Sequence, residues 1–181
     1  MKIDINDDNL NIGDIEEFST KVRAILVDDE DNILIANYHN VILLPGGKVD
    51  DNETIYDAIV RELNEELGQS YNSDELEFFT TLNYFQKNYP RINGVFCNRL
   101  LQTHYFVGRY KNVNKNMQKL TEKEQKGNFR LQLVSLLELE DIILNNKNDN
   151  PRNVYFQKEL LSVLFAYKNN KDMNIKKIEL K

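Results

Sequence analysis

Between Gly47 and Gly68 the chain reads Gly-x5-Glu53-x7-Arg61-Glu62-Leu63-x-Glu65-Glu66-x-Gly68, and this run constrains the fold more than any other. Ile55, Ile59, Leu63 and Leu67 recur every four residues, the period of one buried helix face. Thr54 followed three residues later by Asp57 is a capping signal that starts a helix just past Glu53, and Gly68 falls where a left-handed residue ends one. The spacing predicts a helix over Thr54–Leu67, its stripe against a core and its opposite side free for chemistry. Residues three and four apart share a face, so Glu62, Glu65 and Glu66 bring three carboxylates to one small volume, with Arg61 in reach of Glu65. Like charges so placed repel, and at least one must take a raised pKa unless a cation sits among them. Hard oxygen donors in an open cluster suit magnesium or manganese. An acidic run is usually a solvated face paired with lysines, but no position from Thr54 to Leu67 is lysine.

Around this helix the pattern predicts a mixed sheet. Lys21–Val27 and Ile33–Ala36 read as strands of a hairpin across the polar turn Asp28–Asn32, and Val41–Leu44 as a third strand stopped by Pro45. The Asp28–Asn32 cluster lacks the glycine and the closing glutamate of a calcium loop. Leu76–Gln86 and Val95–Tyr110 are aromatic and β-branched, and are expected to pair antiparallel across a loop holding Pro90 and Gly94. A polar stretch, Asn112–Asn128, precedes a short strand at Phe129–Val134. Helices are expected at Leu136–Leu144 and Val154–Tyr167. Residues 1–17 read as an acidic, irregular N-terminal extension, 18–170 as one domain and 171–181 as a basic C-terminal tail.

A chain of 181 residues with 41% apolar content can bury a single core. Its formal net charge of -6 argues against broad adhesion to nucleic acid or anionic membranes, so anionic substrates are expected to be recruited through metal. Cys97 is alone and cannot form an internal disulfide. The start has no apolar leader, and no apolar run approaches the roughly 20 residues that span a bilayer, which makes the cytoplasm the expected compartment.

The Gly47–Gly68 run, with Leu43-Leu44-Pro45-Gly46 before it, resembles the Nudix box, the signature of hydrolases that cut nucleoside diphosphates linked to another moiety. Gln69 departs from the pattern, standing where the box closes on an apolar residue. The resemblance implies a Nudix-like α/β/α sandwich with a mixed sheet. It implies Glu65 and Glu66 as principal metal ligands, Glu62 as a further ligand or orienter, the Gly46 carbonyl as another donor, Arg61 locking Glu65, and Glu53 supporting the loop. The general base would come from the box or from a later loop, where Glu122, the loop candidate, lies with Glu124. Tyr38, Tyr84 and Arg99 are candidates for substrate contact, by stacking or by meeting phosphate; Arg91 is a similar phosphate candidate.

The implied activity is metal-dependent hydrolysis of a phosphoanhydride in a nucleoside diphosphate derivative or nucleoside triphosphate, by water attack on phosphorus. Its partner would be a small nucleotide-like substrate. A noncatalytic sensor with the same fold would have lost a box acid, and none is lost. A prenyl diphosphate isomerase would need a cysteine before the box, whereas Cys97 follows it. An RNA 5′-end pyrophosphohydrolase would need a basic patch, and none is visible in the linear sequence. The acidic extension or the tail offers a surface for a homodimer.

Overall fold

The computed structural model describes residues 1–91 and 93–179, with side chains described through Asn170. One mixed sheet of seven strands runs through the molecule: β1 (Lys2–Ile5), β2 (Glu17–Val27), β3 (Asn32–Tyr38), β4 (Val41–Leu43), β5 (Leu76–Pro90), β6 (Phe96–Arg109) and β7 (Arg130–Ser135). Helix α1 (Ile55–Leu67) covers one face. Two others, α3 (Leu139–Asn145) and α4 (Asn153–Glu179), cover the opposite face, and α2 (Glu122–Lys126) sits in the polar stretch before β7. The order across the sheet is β1-β5-β6-β2-β3-β4, with β7 on β3. This is the α/β/α layering expected from the order of elements.

Strand β2 shows why the sandwich closes on both faces. Val22, Ala24 and Leu26 pack with Ile59, Leu63 and Leu67 of α1, while Ile25 and Val27 alternate to the other side and pack with Leu160, Val163 and Leu164 of α4. A strand buried on both faces reads as a continuous apolar run, as Val22 to Val27 does apart from Arg23.

Two expectations are corrected here. The β2–β3 hairpin is reduced to one register pair, Val27 with Ile33. β2 pairs parallel with β6 along its whole length, and its other edge is taken by the loop after β4: Ala24 N–H donates to Pro45 O (2.9 Å), Val22 N–H to Gly47 O (3.0 Å) and Val49 N–H to Thr20 O (3.1 Å). Strand β3 instead pairs with β4 and β7. An exposed strand edge must find donors and acceptors somewhere, and here the glycine loop supplies them.

The start of the chain, expected to be irregular, contributes a strand as well. Lys2–Ile5 adds to β5 in parallel, and Ile5 is buried in the core. At the other end the backbone of α4 continues helical to Glu179, through most of the expected tail, while residues 180–181 lie outside the described residues. Among the described residues no helix is long and apolar enough to cross a membrane.

Candidate active site

Helix α1 starts and stops where its sequence dictates. Thr54 accepts from the Asp57 amide at 3.1 Å, and Gly68 closes the helix in the left-handed conformation (φ 65°). Ile59, Leu63 and Leu67 are fully buried, and Ile55 is half-buried. The acids, however, do not stand on a free opposite side. Glu62 and Glu66 flank the stripe and are enclosed by the loop that runs along β2, 9% and 3% exposed respectively.

Two glycines make that enclosure possible. Gly46 has φ +125°, open to glycine, and a Cβ on it would overlap the Val22 carbonyl. A Cβ on Gly47 would overlap the Glu62 carboxylate itself. The Gly46 amide, brought this close, donates to Glu66 Oε2 at 2.8 Å. From the far side, the buried Arg23 donates through Nη1 to the carbonyls of Leu44 (2.8 Å) and Gly46. The Gly46 carbonyl, expected as a metal donor, is thus engaged by a guanidinium.

Arg61 ties the remaining acids together. Its Nε and Nη2 clamp Glu53 in a bidentate pair (2.7 and 2.8 Å), and Nη1 reaches Glu62 Oε1 at 2.9 Å. Nη1 touches Glu65 only at 3.4 Å, and Nη2 closes the loop by donating to the Lys48 carbonyl at 3.1 Å. Arg61 therefore locks Glu53 and Glu62 more firmly than Glu65, the partner expected from i,i+4 spacing.

The third acid of the buried cluster comes from outside the helix. Glu62, Glu66 and Glu124 each offer an oxygen within 4.8 Å of the other two. Glu124 is positioned by a capping box on α2, its Oε2 accepting from the Thr121 amide at 2.6 Å and from the Thr121 hydroxyl at 2.8 Å. The segment before α2 is fastened over the end of α1, with Asn114 N–H on Leu67 O (2.8 Å), Lys119 N–H on Glu65 O (2.9 Å) and Gln69 on the Asn112 carbonyl. Gln69, the departure from the box pattern, thus anchors this loop. Glu122 is 86% exposed and paired with Lys126 at 3.3 Å, which leaves Glu124 as the loop acid at the cluster. Glu65 stands at the rim, partly exposed.

Burial dominates the electrostatics. It pushes Glu66 from the ordinary carboxylate range up to about 8; Arg23 and the Gly46 amide pull the other way, and Glu62 and Glu124 add to the rise. Glu62 is raised by burial too, against the pull of Arg61. Glu53 is held low by the Arg61 guanidinium. Three converging oxygens, two on acids whose ionisation burial opposes, form a donor set that fits a hard divalent cation.

Other candidates lie further off. Tyr38 sits beside His39 (4.4 Å between rings), and its hydroxyl is raised by burial and then by Glu124, so it borders the cluster. Tyr84 is buried in the core against Tyr155 rather than open to a base. Arg99 is buried and stacked on Tyr89 at 3.5 Å.

Three residues escaped sequence reasoning. Arg23 had a usable signal, a lone charge inside the apolar run Val22–Val27. Lys21, lowered to about 8 by burial and then by Arg23, lies on the same face; Glu159 of α4 accepts there from Thr103 and Tyr105 hydroxyls, each at 2.7 Å. Neither carries a local signature, because only α4 packing on the sheet brings them together.

Comparison with known proteins agrees with this geometry. The family model described as NUDIX domain matches residues 18–158. The MutT protein from Methanosarcina mazei Go1 is 17% identical with a TM-score of 0.54, the match covering 87% of this chain and 98% of that one. A NUDIX hydrolase from Nitrosomonas europaea is 17% identical, also with a TM-score of 0.54, covering 81% and 90%. At such identity the likeness is one of fold. No curated protein matches the sequence significantly.

Proposed function

The chain belongs to the NUDIX family and is a Nudix-type pyrophosphohydrolase, a hydrolase of acid anhydrides; from that premise we propose that it hydrolyses the phosphoanhydride of a nucleoside diphosphate derivative or nucleoside triphosphate. We assign magnesium or manganese to Glu62, Glu66 and Glu124. The observation that carries this reading is the meeting of those three carboxylates inside 4.8 Å beneath the Gly46–Gly47 loop.

A bound divalent ion would neutralise phosphoryl oxygens and lower the pKa of the attacking water. The chain's own residues do the rest. Arg23 pins the Leu44 and Gly46 carbonyls, which aims the Gly46 amide at Glu66 and holds that carboxylate in one orientation. Arg61 fixes Glu62 from the other side and uses Glu53 as its counterweight. Glu124 has one oxygen held by the Thr121 amide and hydroxyl, which leaves its second oxygen to join Glu62 and Glu66 in holding the ion. Glu65, held only loosely, is the box acid free to turn inward when substrate phosphate arrives.

A panel of nucleoside triphosphates and nucleoside diphosphate conjugates, assayed with magnesium by release of phosphate, pyrophosphate or nucleotide, tests the reading. Turnover of at least one class that EDTA abolishes is expected. No turnover of any member would turn the site into a noncatalytic nucleotide sensor.

A further inference from the structure

Beyond the carboxylates, the α4 face of the sheet carries a second polar feature. Near the start of β2, Glu17, Tyr89, Arg91, Asn93, Arg99 and Arg152 line a cavity of about 470 Å³. Three guanidiniums share it with one carboxylate. Glu17 lies 2.8 Å from Arg91 Nε and 3.8 Å from Arg99 Nη1, the latter beyond hydrogen-bond reach.

Arg99 is the informative member. It is 6% exposed, its Nε donates to Gln86 Oε1 at 2.8 Å, and its plane lies on the Tyr89 ring. That anchoring fixes the fork and leaves its terminal nitrogens without a hydrogen-bond acceptor among the described residues. Arg152 is held in the same manner. Its Nε donates to the Pro90 carbonyl at 3.0 Å, it lies 5.7 Å from the same ring, and it immediately precedes the positive end of α4. Arg99 and Arg152 line the cavity with their guanidiniums held in fixed orientations, and a planar fork so held suits phosphate oxygens.

Further positive charge lies between the cavity and the carboxylate site. Lys21 and Arg23 follow Glu17 on the same face of β2, and Arg99 and Arg152 both act on the Lys21 ammonium. Arg23 is six positions along β2 from Glu17, roughly 20 Å at the rise of a strand. The basic patch that the linear sequence hides is thus assembled from three distant segments.

We propose that the cavity formed by Tyr89, Arg91, Arg99 and Arg152 is a phosphate-binding site remote from the hydrolysed bond. Its phosphate comes either from a substrate long enough to reach it from the carboxylate site or from a separate small phosphate compound; the first source rests on the hydrolase reading above.

Calorimetry of the full chain in EDTA with inorganic pyrophosphate isolates the site, since the metal-free carboxylates repel that probe. Binding is expected, weakened about tenfold by Arg152→Gln and by Arg91→Gln, the loss of one charge-assisted contact. Both positions are only half-buried, and circular dichroism verifies the fold of each variant. Absence of binding, or binding indifferent to both substitutions, overturns the proposal whatever the enzyme turns over. With magnesium, 5′-triphosphorylated oligonucleotides of one to six residues then separate the sources, because a stacked strand rising about 3.4 Å per nucleotide needs about six to span the gap. A kcat/KM that climbs about tenfold with length, and stays flat in Arg152→Gln, assigns the phosphate to the substrate. Flat values in the parent enzyme assign it to a separate compound. If no oligonucleotide or nucleotide is turned over while pyrophosphate still binds, the hydrolase reading fails and the anion site stands.

Discussion

Replacing Glu66 by Gln should stabilise the metal-free protein at alkaline pH while removing its activity. Burial raises Glu66 from 4.5 to about 8, so between those values the folded state holds a proton that the unfolded chain has released. Stability therefore falls as pH rises from about 4.5 to 8, and above that range the whole penalty is present. At ~1.4 kcal/mol per pKa unit the ionised group costs on the order of 5 kcal/mol. Glutamine imitates the protonated acid and can still accept from the Gly46 amide. Urea unfolding in EDTA at pH 5 and pH 9 should show parent and variant within about 1 kcal/mol at the lower pH, and the variant ahead by several kcal/mol at the higher. Glu62 is raised in the same direction, so a smaller slope survives in the variant. Magnesium should restore the parent at pH 9 and leave the variant nearly unmoved. A variant equally destabilised at both pH values would refute the reasoning, because Glu66 would then act through packing rather than through a charge that burial opposes.

Four further outcomes follow from the geometry. Gly47→Ala places a methyl on the Glu62 carboxylate and should cut kcat/KM at least tenfold while weakening magnesium binding, both measured on the same sample. Arg61→Lys loses the bidentate hold on Glu53 and the bond to Glu62; a loss of about 2 kcal/mol in urea unfolding is expected, with activity falling alongside. Glu124→Gln should lower kcat about a hundredfold, whereas Glu122→Gln, out in solvent against Lys126, should match the parent in steady-state kinetics. Arg23→Met should release the Gly46 carbonyl and loosen the loop, seen as faster amide exchange at Gly46 and Gly47 together with a fall in kcat.

Much of this protein is local physics, and what is local was legible in the sequence. The four-residue stripe, the Thr54 cap and the left-handed Gly68 determine α1, because hydrogen bonds and side-chain faces within a helix depend only on neighbours a turn away. The spacing of Arg61, Glu62 and Glu66 likewise placed a cluster of carboxylates on that helix, and the β-branched runs marked the strands. The Thr121-x-x-Glu124 capping pattern was equally readable and marks α2, though no local rule says where α2 will lie.

Tertiary structure decided the pairings and the company the acids keep. A hairpin between β2 and β3 was the economical local guess, but the edge of β2 goes to the glycine loop, and that exchange buries Glu62 and Glu66 instead of leaving them on an open face. The choice of Glu124 over Glu65 as third acid, of Arg23 as the partner of Gly46, and of three arginines around Tyr89 depends on residues brought together from distant parts of the chain. Such meetings are fixed by how the sheet edge is satisfied and how α4 packs, energies that belong to the whole fold and leave no periodic trace in any one segment.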